Sequence, residues 1–121
     1  MLVRVPPRTT YHLVPDEEWT ATDPSLPYTP AAFGHDGFVH CTDGAADLAA
    51  TANRFFADFQ GDLLVLTLDT ARLTSPVRYE DPARIYPHVY GPIERAAIIR
   101  LQRMQRDPTT GAWQPPTDIE P

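Results

Sequence analysis

The sequence has no lysine, only one cysteine and no long apolar run. One cysteine cannot form a disulfide within the chain, which suits a reducing compartment, so we expect a cytoplasmic protein. No apolar stretch approaches the roughly 20 residues that span a bilayer. The first residues also lack the apolar core of a signal peptide. We therefore expect no membrane partner.

The charge balance is acidic, with ten basic residues, all arginine, against 16 acidic ones and a formal net charge of −6. Affinity for nucleic acid comes mainly from neutralising phosphates, so an acidic chain is a poor general binder of it. Nucleic acid stays open only as the acceptor of a transferred group. A length of 121 residues with 42% hydrophobic residues indicates one globular domain. We assign residues 10–106 to the domain and residues 1–9 and 107–121 to tails.

The apolar periodicity predicts an α+β fold with one main helix and a twisted, mixed or mostly antiparallel sheet. Strands are predicted over residues 11–14, 38–41, 63–68, 77–80 and 96–104. The main helix is predicted over residues 44–60, with Leu48, Ala52, Phe55, Phe56 and Phe59 on one face. Residues 22–36 and 81–93 are rich in proline and are predicted to be ordered loops.

Three of the four histidines lie in strongly patterned segments: His12 in YHLV, His40 in GFVHCT and His88 in YPHVYGPI. Side chains alternate across a strand, so His40 shares a face with Phe38, whereas Cys41 points the other way. This separation argues against a joint metal site or a Cys–His nucleophile, and we expect no metal and a buried, inert Cys41. Taken singly, each strand histidine is more simply explained as a satisfied residue of the core or of a strand edge.

Other polar residues stand out by position. Asn53 and Arg54 lie in the middle of the predicted helix, and because asparagine is a poor helix former, a side-chain role is indicated. Glu80 ends a short strand before the proline-rich loop that holds His88, where a carboxylate is a candidate for catalysis. A solvated carboxylate and a locally bonded asparagine are the simpler alternatives.

The motifs YHLV, GFVHCT, LLVLTLD, PVRYE and PHVYGPI, taken together, resemble a bacterial family known as domain of unknown function 952. The similarity covers about residues 10–103, and the motifs are specific as a set. Members of this family are similar in fold to the ADP-ribosyltransferases, which bind NAD in the cleft of a split, mixed sheet. The resemblance implies an ADP-ribosyltransferase-like fold with NAD or a related nucleotide as substrate.

By this resemblance the catalytic residues are His12, His40 and Glu80. His12 would hold a ribose hydroxyl or the nicotinamide end, His40 would line the same cleft, and Glu80 would stabilise a cationic sugar. The chain departs from the superfamily after His12, where Leu13 and Val14 replace the usual glycine and hydroxyl residue. That departure weakens the expected contact with nicotinamide.

The same resemblance implies a wider set of nucleotide-binding residues. Tyr28 and the 22–36 loop would cover the cleft, Tyr90 would stack on a ring, and Arg54 or Arg78 would meet the pyrophosphate. The full binding set comprises His12, Tyr28, His40, Asn53, Arg54, His88 and Tyr90.

Three functions stay open on the sequence. The first is an enzyme that transfers ADP-ribose, and the second is a non-catalytic module that binds a nucleotide or small metabolite through the same residues. The third is a structural or interaction module without a pocket, because fold does not fix function. A homodimer through apolar sheet edges also stays open. The pocket interpretations require that His12, His40 and His88 line one cavity.

Overall fold

The computed structural model describes residues 8–119 as a small single domain built from antiparallel sheets and few helices. The strands are β1 (Thr9–Pro15), β2 (Val39–His40), β3 (Leu63–Asp69), β4 (Val77–Tyr79), β5 (Pro87–Val89), β6 (Ile98–Arg103), β7 (Gln105–Arg106) and β8 (Trp113–Gln114). The helices are α1 (Asp16–Thr20), α2 (Phe33–Asp36) and α3 (Ala45–Phe55), with 3₁₀ turns over Thr70–Arg72 and Arg95–Ala97. The predicted combination of antiparallel strands and one main helix is confirmed.

The first sheet has the strand order β1-β3-β6, with β3 in the centre. The apolar run from Leu63 to Leu68 is buried throughout, as expected for a strand that is covered on both faces. Leu64 and Leu66 pack into one core cluster, whereas Leu63 and Val65 pack into a second cluster on the opposite face. The prediction of a central, doubly covered strand is therefore confirmed.

The second sheet has the order β2-β5-β4, and its two faces differ sharply. Val39 and Val77 both pair with Val89, and these three valines face the core. His40 and Arg78 both pair with His88, on the opposite face. One side of this small sheet is thus apolar and anchored, and the other presents polar side chains to solvent.

The segment 81–93, predicted as a loop, instead contains β5, the central strand of the second sheet. The proline signal misled because Pro87 is the first residue of the strand, a position where proline is tolerated. Its carbonyl still serves the sheet, since the backbone N–H of Cys41 donates to it at 3.1 Å. His88 therefore lies on a strand rather than in a loop.

The two sheets meet through a single antiparallel bridge between Tyr11 and Thr42. Their backbones exchange two hydrogen bonds, of 2.9 and 2.8 Å. The single sheet that the periodicity predicts is thus divided, and β2, which has only two residues, pairs with β5 rather than with β1. The bridge places β2 directly beside β1 and its histidine.

Helix α3 ends at Phe55, earlier than the predicted residue 60. Leu48 and Ala52 are buried as predicted, but Phe55 is 67% exposed and does not belong to the buried face. Phe56 has left the helical conformation, with φ −126°, and packs with Phe59 against the second core cluster. Residues that follow the end of α3 therefore cover the second core cluster in place of a further helical turn.

Much of the segment 107–121, predicted as a tail, is folded. β8 pairs with β7, and Trp113 is buried in the second core cluster beside Leu48 and Leu63. The side-chain amide of Asn53 in α3 forms two hydrogen bonds with the backbone of Trp113. Residues 1–7 and 120–121 lie outside the described residues, so the predicted N-terminal tail is described only at residues 8 and 9.

Candidate functional site

The solvent face of the second sheet carries a row of aromatic, basic and acidic side chains. His40, His88 and Arg78 lie side by side on β2, β5 and β4. We call this surface the histidine platform, and it consists of Asp36, Phe38, His40, Arg78, Glu80, His88 and Tyr90. His40, Arg78 and Glu80 are exposed.

Flat rings form the middle of the platform. Phe38 stacks on His88 with a centroid distance of 4.0 Å and an interplanar angle of 18°. The same ring lies 4.6 Å from His40 and 5.3 Å from Tyr90, tilted against both. The platform is therefore packed within itself before any ligand arrives.

Each platform imidazole is paired with a carboxylate. Oδ2 of Asp36 lies 3.0 Å from Nε2 of His40, and Oε1 of Glu80 lies 3.1 Å from Nδ1 of His88. The hydroxyl of Tyr90 donates to the same Glu80 oxygen. Hydrogen bonds from Tyr90 and His88 lower the pKa of Glu80. The ordinary pKa of glutamic acid is already acidic, so this carboxylate is ionised at neutral pH.

The same physical effect acts on neighbouring groups. Hydrogen bonds from His35 and His40 lower the pKa of Asp36, whereas the hydrogen bond to Glu80 raises the pKa of Tyr90. The Arg78 guanidinium lies 5.2 Å from the centre of the Tyr90 ring. The platform thus combines fixed negative charges, one guanidinium and two imidazoles on a single surface.

His12 lies in a different environment, behind β2. Its side chain is buried, with Nδ1 2.7 Å from the carbonyl oxygen of His40 and Nε2 2.8 Å from the hydroxyl of Tyr28. A carbonyl only accepts, so Nδ1 carries the proton and Nε2 accepts the Tyr28 hydrogen bond. Burial lowers the pKa of His12 to about 4, which makes it neutral at pH 7.

The three histidines therefore do not line one cavity. His40 and His88 share the platform, with ring centroids 5.5 Å apart, whereas His12 is enclosed with the fully buried Tyr28. Strand alternation places His12 on the face of Val14, but this face of β1 is covered by the core rather than open to a cleft. Because both side chains are buried, this structure gives no support to the expected contacts of His12 and Tyr28 with a nucleotide.

Asn53 and Arg54 also lie away from the platform, on α3. Nδ2 of Asn53 donates to the Trp113 carbonyl at 3.0 Å, and its Oδ1 accepts from the Trp113 N–H at 2.7 Å. Arg54 is exposed, with its guanidinium 5.1 Å from the centre of the Phe55 ring. The unusual asparagine in the helix has a structural explanation, since it holds β8 in place.

The 22–36 loop, predicted to cover a site, is fastened by Arg95. The guanidinium donates to the carbonyls of Leu26 and Asp23 at 2.6 and 2.8 Å and lies 4.9 Å from the centre of the Trp19 ring. Tyr28 and Ile93 add a backbone bridge with two hydrogen bonds of 2.8 Å. The loop is thus a fixed part of the fold.

The end of this loop supplies Asp36 to the platform, a residue that the sequence interpretation missed. The available signal was its spacing, because Asp36 and His40 are four residues apart in the sequence. The importance of Arg95 to the loop had no local signal, since its partners lie about 70 positions earlier in the sequence.

Two hollows, of about 470 and 270 Å³, lie away from the platform, one next to Trp113 and the other next to Trp19. Within residues 8–119 no three His, Cys, Asp or Glu side chains are grouped so that they could hold a metal ion. The described part of the chain also has no helix of the length and apolarity that a membrane span requires.

Comparison with known proteins places the chain among proteins of the same fold. Residues 13–101 match the family described as "Protein of unknown function (DUF952)". No curated protein matches the sequence. The crystal structure of protein CC0527 from Caulobacter crescentus is similar, with a TM-score of 0.73 and 23% identity over 88% of this chain and 94% of that chain. Its solution NMR structure gives a TM-score of 0.67 and 20% identity over 86% and 90% of the two chains.

Proposed function

We propose a ligand for the histidine platform of this chain, which belongs to the DUF952 family. The platform binds a small molecule that combines a flat ring with an anionic group, as a nucleotide does. The observation that carries the proposal is the clustering of three rings, Phe38, His88 and Tyr90, beside the guanidinium of Arg78. The rings suit the base of a nucleotide, and the guanidinium suits its phosphate.

The rings suit the base of a nucleotide. Stacking of a base on an aromatic side chain contributes about 1–3 kcal/mol. Phe38 already packs against both His88 and Tyr90, so a further ring added to the group immobilises few side-chain torsions. A pre-packed aromatic surface therefore binds a ring at a low cost in conformational entropy.

The basic groups suit a phosphate. Arg78 offers several N–H donors in a fixed geometry that matches phosphate oxygens. The nearby carboxylates of Asp36 and Glu80 are each engaged by hydrogen bonds from imidazole or phenol groups, which offsets part of their negative charge. The net charge of −6 favours a small anion over a long polyanion.

Calorimetry and thermal unfolding with a nucleotide panel test this proposal. AMP, CMP, ADP-ribose and NAD are compared with ribose 5-phosphate, which lacks the ring, and adenosine, which lacks the phosphate. We expect a nucleotide to raise the Tm and both fragments to bind more weakly. Phe38→Ala and Arg78→Ala should each weaken binding about 10-fold, or about 1.4 kcal/mol.

Arg54 and Phe55 provide matched controls, because they form a similar exposed cation–ring pair away from the platform. Arg54→Ala and Phe55→Ala should leave nucleotide affinity unchanged. Equal losses in the control and platform variants would contradict the proposed location. If no nucleotide binds, the platform proposal fails, and a structural or interaction module becomes the better interpretation.

ADP-ribosyl transfer on an ADP-ribosyltransferase-like fold is a second candidate, favoured by the ionised Glu80 on the same surface. In this reaction the bond from ribose C1′ to nicotinamide breaks, nicotinamide leaves with the electron pair, and an acceptor attacks C1′. A preorganised carboxylate would stabilise the cationic sugar. In this proposal His40 meets the ribose, whereas His12 acts only by supporting β2.

Release of free nicotinamide from NAD tests the second candidate. We expect Glu80→Gln to lower release about 100-fold if its charge stabilises the transition state. Glu17→Gln, an exposed substitution on α1, is the matched control and should keep the wild-type rate. A wild-type rate no higher than that of Glu80→Gln would exclude this activity and leave simple nucleotide binding standing.

A further inference from the structure

Two imidazole–carboxylate pairs face each other on the platform. His40 is paired with Asp36 at 3.0 Å, and His88 is paired with Glu80 at 3.1 Å. The two imidazole centroids are 5.5 Å apart, with an interplanar angle of 70°. The same chemical unit is therefore present twice within reach of one small group.

Each pair leaves one ring nitrogen available. An ionised carboxylate only accepts, so Nε2 of His40 and Nδ1 of His88 carry protons. Nδ1 of His40 and Nε2 of His88 have no hydrogen-bond partner within residues 8–119. Such a nitrogen is a base when the ring is neutral and an acid when the ring is protonated.

Two such nitrogens suit a reaction in which one proton leaves as another arrives at a single centre. In-line phosphoryl transfer is a reaction of this kind, because the attacking hydroxyl loses a proton and the leaving oxygen gains one. Arg78 lies next to His88 across the sheet and can neutralise charge on the phosphoryl oxygens. The platform thus holds a base, an acid and a cation.

We propose that His40 and His88 cleave a small ribonucleotide phosphodiester by general acid–base catalysis, with the substrate's own 2′-hydroxyl as the nucleophile. This inference rests on the proposed nucleotide binding and adds a reaction to it. A 2′-hydroxyl is already positioned beside the phosphorus by the ribose, so the protein has to supply only proton transfer and charge stabilisation.

The proposed step balances without a further reactant. One imidazole removes the proton of the 2′-hydroxyl, and the 2′-oxygen forms a bond to phosphorus. The bond from phosphorus to the 5′-oxygen breaks, and the other imidazole, initially protonated, gives its proton to that oxygen. The products are a 2′,3′-cyclic phosphate and a free 5′-hydroxyl, and proton exchange with water restores the two imidazoles.

Phosphorus NMR on a set of 3′,5′-linked ribodinucleoside monophosphates tests the inference, because a cyclic phosphate has its own resonance. The matching deoxyribodinucleotides, which lack the 2′-hydroxyl, serve as inert substrates. We expect cleavage of ribodinucleotides alone. His40→Ala and His88→Ala should each reduce the rate about 100-fold or more, as removal of a general acid or base does.

Glu17→Gln is the control. Glu17 is exposed on α1, away from the platform, so this substitution should keep the wild-type rate. His40→Gln and His88→Gln keep a polar side chain that cannot transfer protons, and they replace the alanine variants if the Tm of those falls. Cleavage that survives in both histidine variants would reveal a contaminating nuclease and overturn the proposal.

The binding measurement separates the two proposals. Ribodinucleotides that bind to the platform and stay intact would overturn the acid–base inference and leave nucleotide binding in place. Dinucleotides and mononucleotides that both fail to bind would overturn the two proposals together.

Discussion

His12 is a histidine kept neutral inside the protein by its surroundings. Burial lowers its pKa from 6.5 to about 4, although the hydrogen bond to the His40 carbonyl partly opposes the shift. An unfolded chain has no such burial, so its His12 takes up a proton below pH 6.5. The folded protein takes up the same proton only near pH 4. Acid therefore favours the unfolded chain in this interval.

The first prediction concerns the stability of the protein between pH 6.5 and pH 4. The His12 contribution is complete above pH 6.5, is lost as the pH falls towards 4, and changes no further below that. A shift of this size corresponds to roughly 3 kcal/mol of unfolding free energy. Urea unfolding at pH 7.5 and pH 4.5 measures it, and His12→Asn should remove this part of the pH dependence.

Phe55→Ala is the control for this prediction, because it changes an exposed side chain without a titratable group and should keep the wild-type pH dependence. An equal loss of stability on acidification in wild type and His12→Asn would show that other groups are responsible.

Individual side chains differ in how far the sequence determines their environment. Alternation correctly separates His40 from Cys41, whose thiol is buried and has its pKa raised by that burial. The rule fails to expose His12, because β1 contributes to core clusters on both faces. A period of two identifies the face on which a residue lies, but not whether that face meets solvent.

The β7–β8 hairpin is held in place by contacts with residues that lie far away in the sequence. Asn53 on α3 makes two hydrogen bonds to the backbone of Trp113, much as a neighbouring strand would. The Trp113 indole N–H donates to the Phe56 carbonyl at 2.7 Å. Composition alone indicates a tail here, because proline and turn formers dominate residues 107–121 and the stabilising partner is 60 positions earlier.

The second prediction is that Asn53→Ala lowers stability without changing ligand binding. Loss of two hydrogen bonds to partly buried backbone groups should cost about 1–3 kcal/mol of unfolding free energy. Urea unfolding measures the cost, with Arg54→Ala as the exposed neighbour that should be nearly neutral. A fall in nucleotide affinity with unchanged stability would instead support the nucleotide-binding role implied by the family resemblance.

Strand β3 and strand β5 show why some elements are predictable and others are not. β3 is predictable because it is a continuous apolar run, and its burial can be inferred without knowing which strands it pairs with. β5 has three residues and begins with proline, so its local signal is that of a loop. Only its pairing with β2 and β4, distant in sequence, makes it a strand.

The molecule as a whole is acidic, and its proposed binding surface carries an arginine and two imidazoles beside the carboxylates of Asp36 and Glu80. This charge balance limits the size of an anionic ligand. In the proposed complex a mononucleotide would touch the platform alone, whereas each further phosphate of a polymer would meet a protein whose net charge is −6. Long-range repulsion of this kind weakens as salt screens it.

The third prediction follows from that charge. A single-stranded oligonucleotide should bind no more tightly than a mononucleotide with the same base at low salt, and added salt should not weaken its binding steeply. Fluorescence anisotropy with a labelled 12-mer, competed by the mononucleotide, measures both. Tight oligonucleotide binding that collapses as salt rises would indicate a basic surface of the kind used by nucleic-acid-binding proteins.

The hydrogen bond from His12 to the His40 carbonyl affects how an alanine scan of this protein would be interpreted. β2 has two residues, and His12 supports the second of them from the interior. Under the proposed function, loss of that donor would displace the His40 ring, so His12→Ala would weaken nucleotide binding although the buried His12 side chain lies away from the platform. His12→Asn places an amide donor near the same carbonyl. Recovery of binding in His12→Asn would show that His12 acts as a structural support of β2 rather than as a ligand contact.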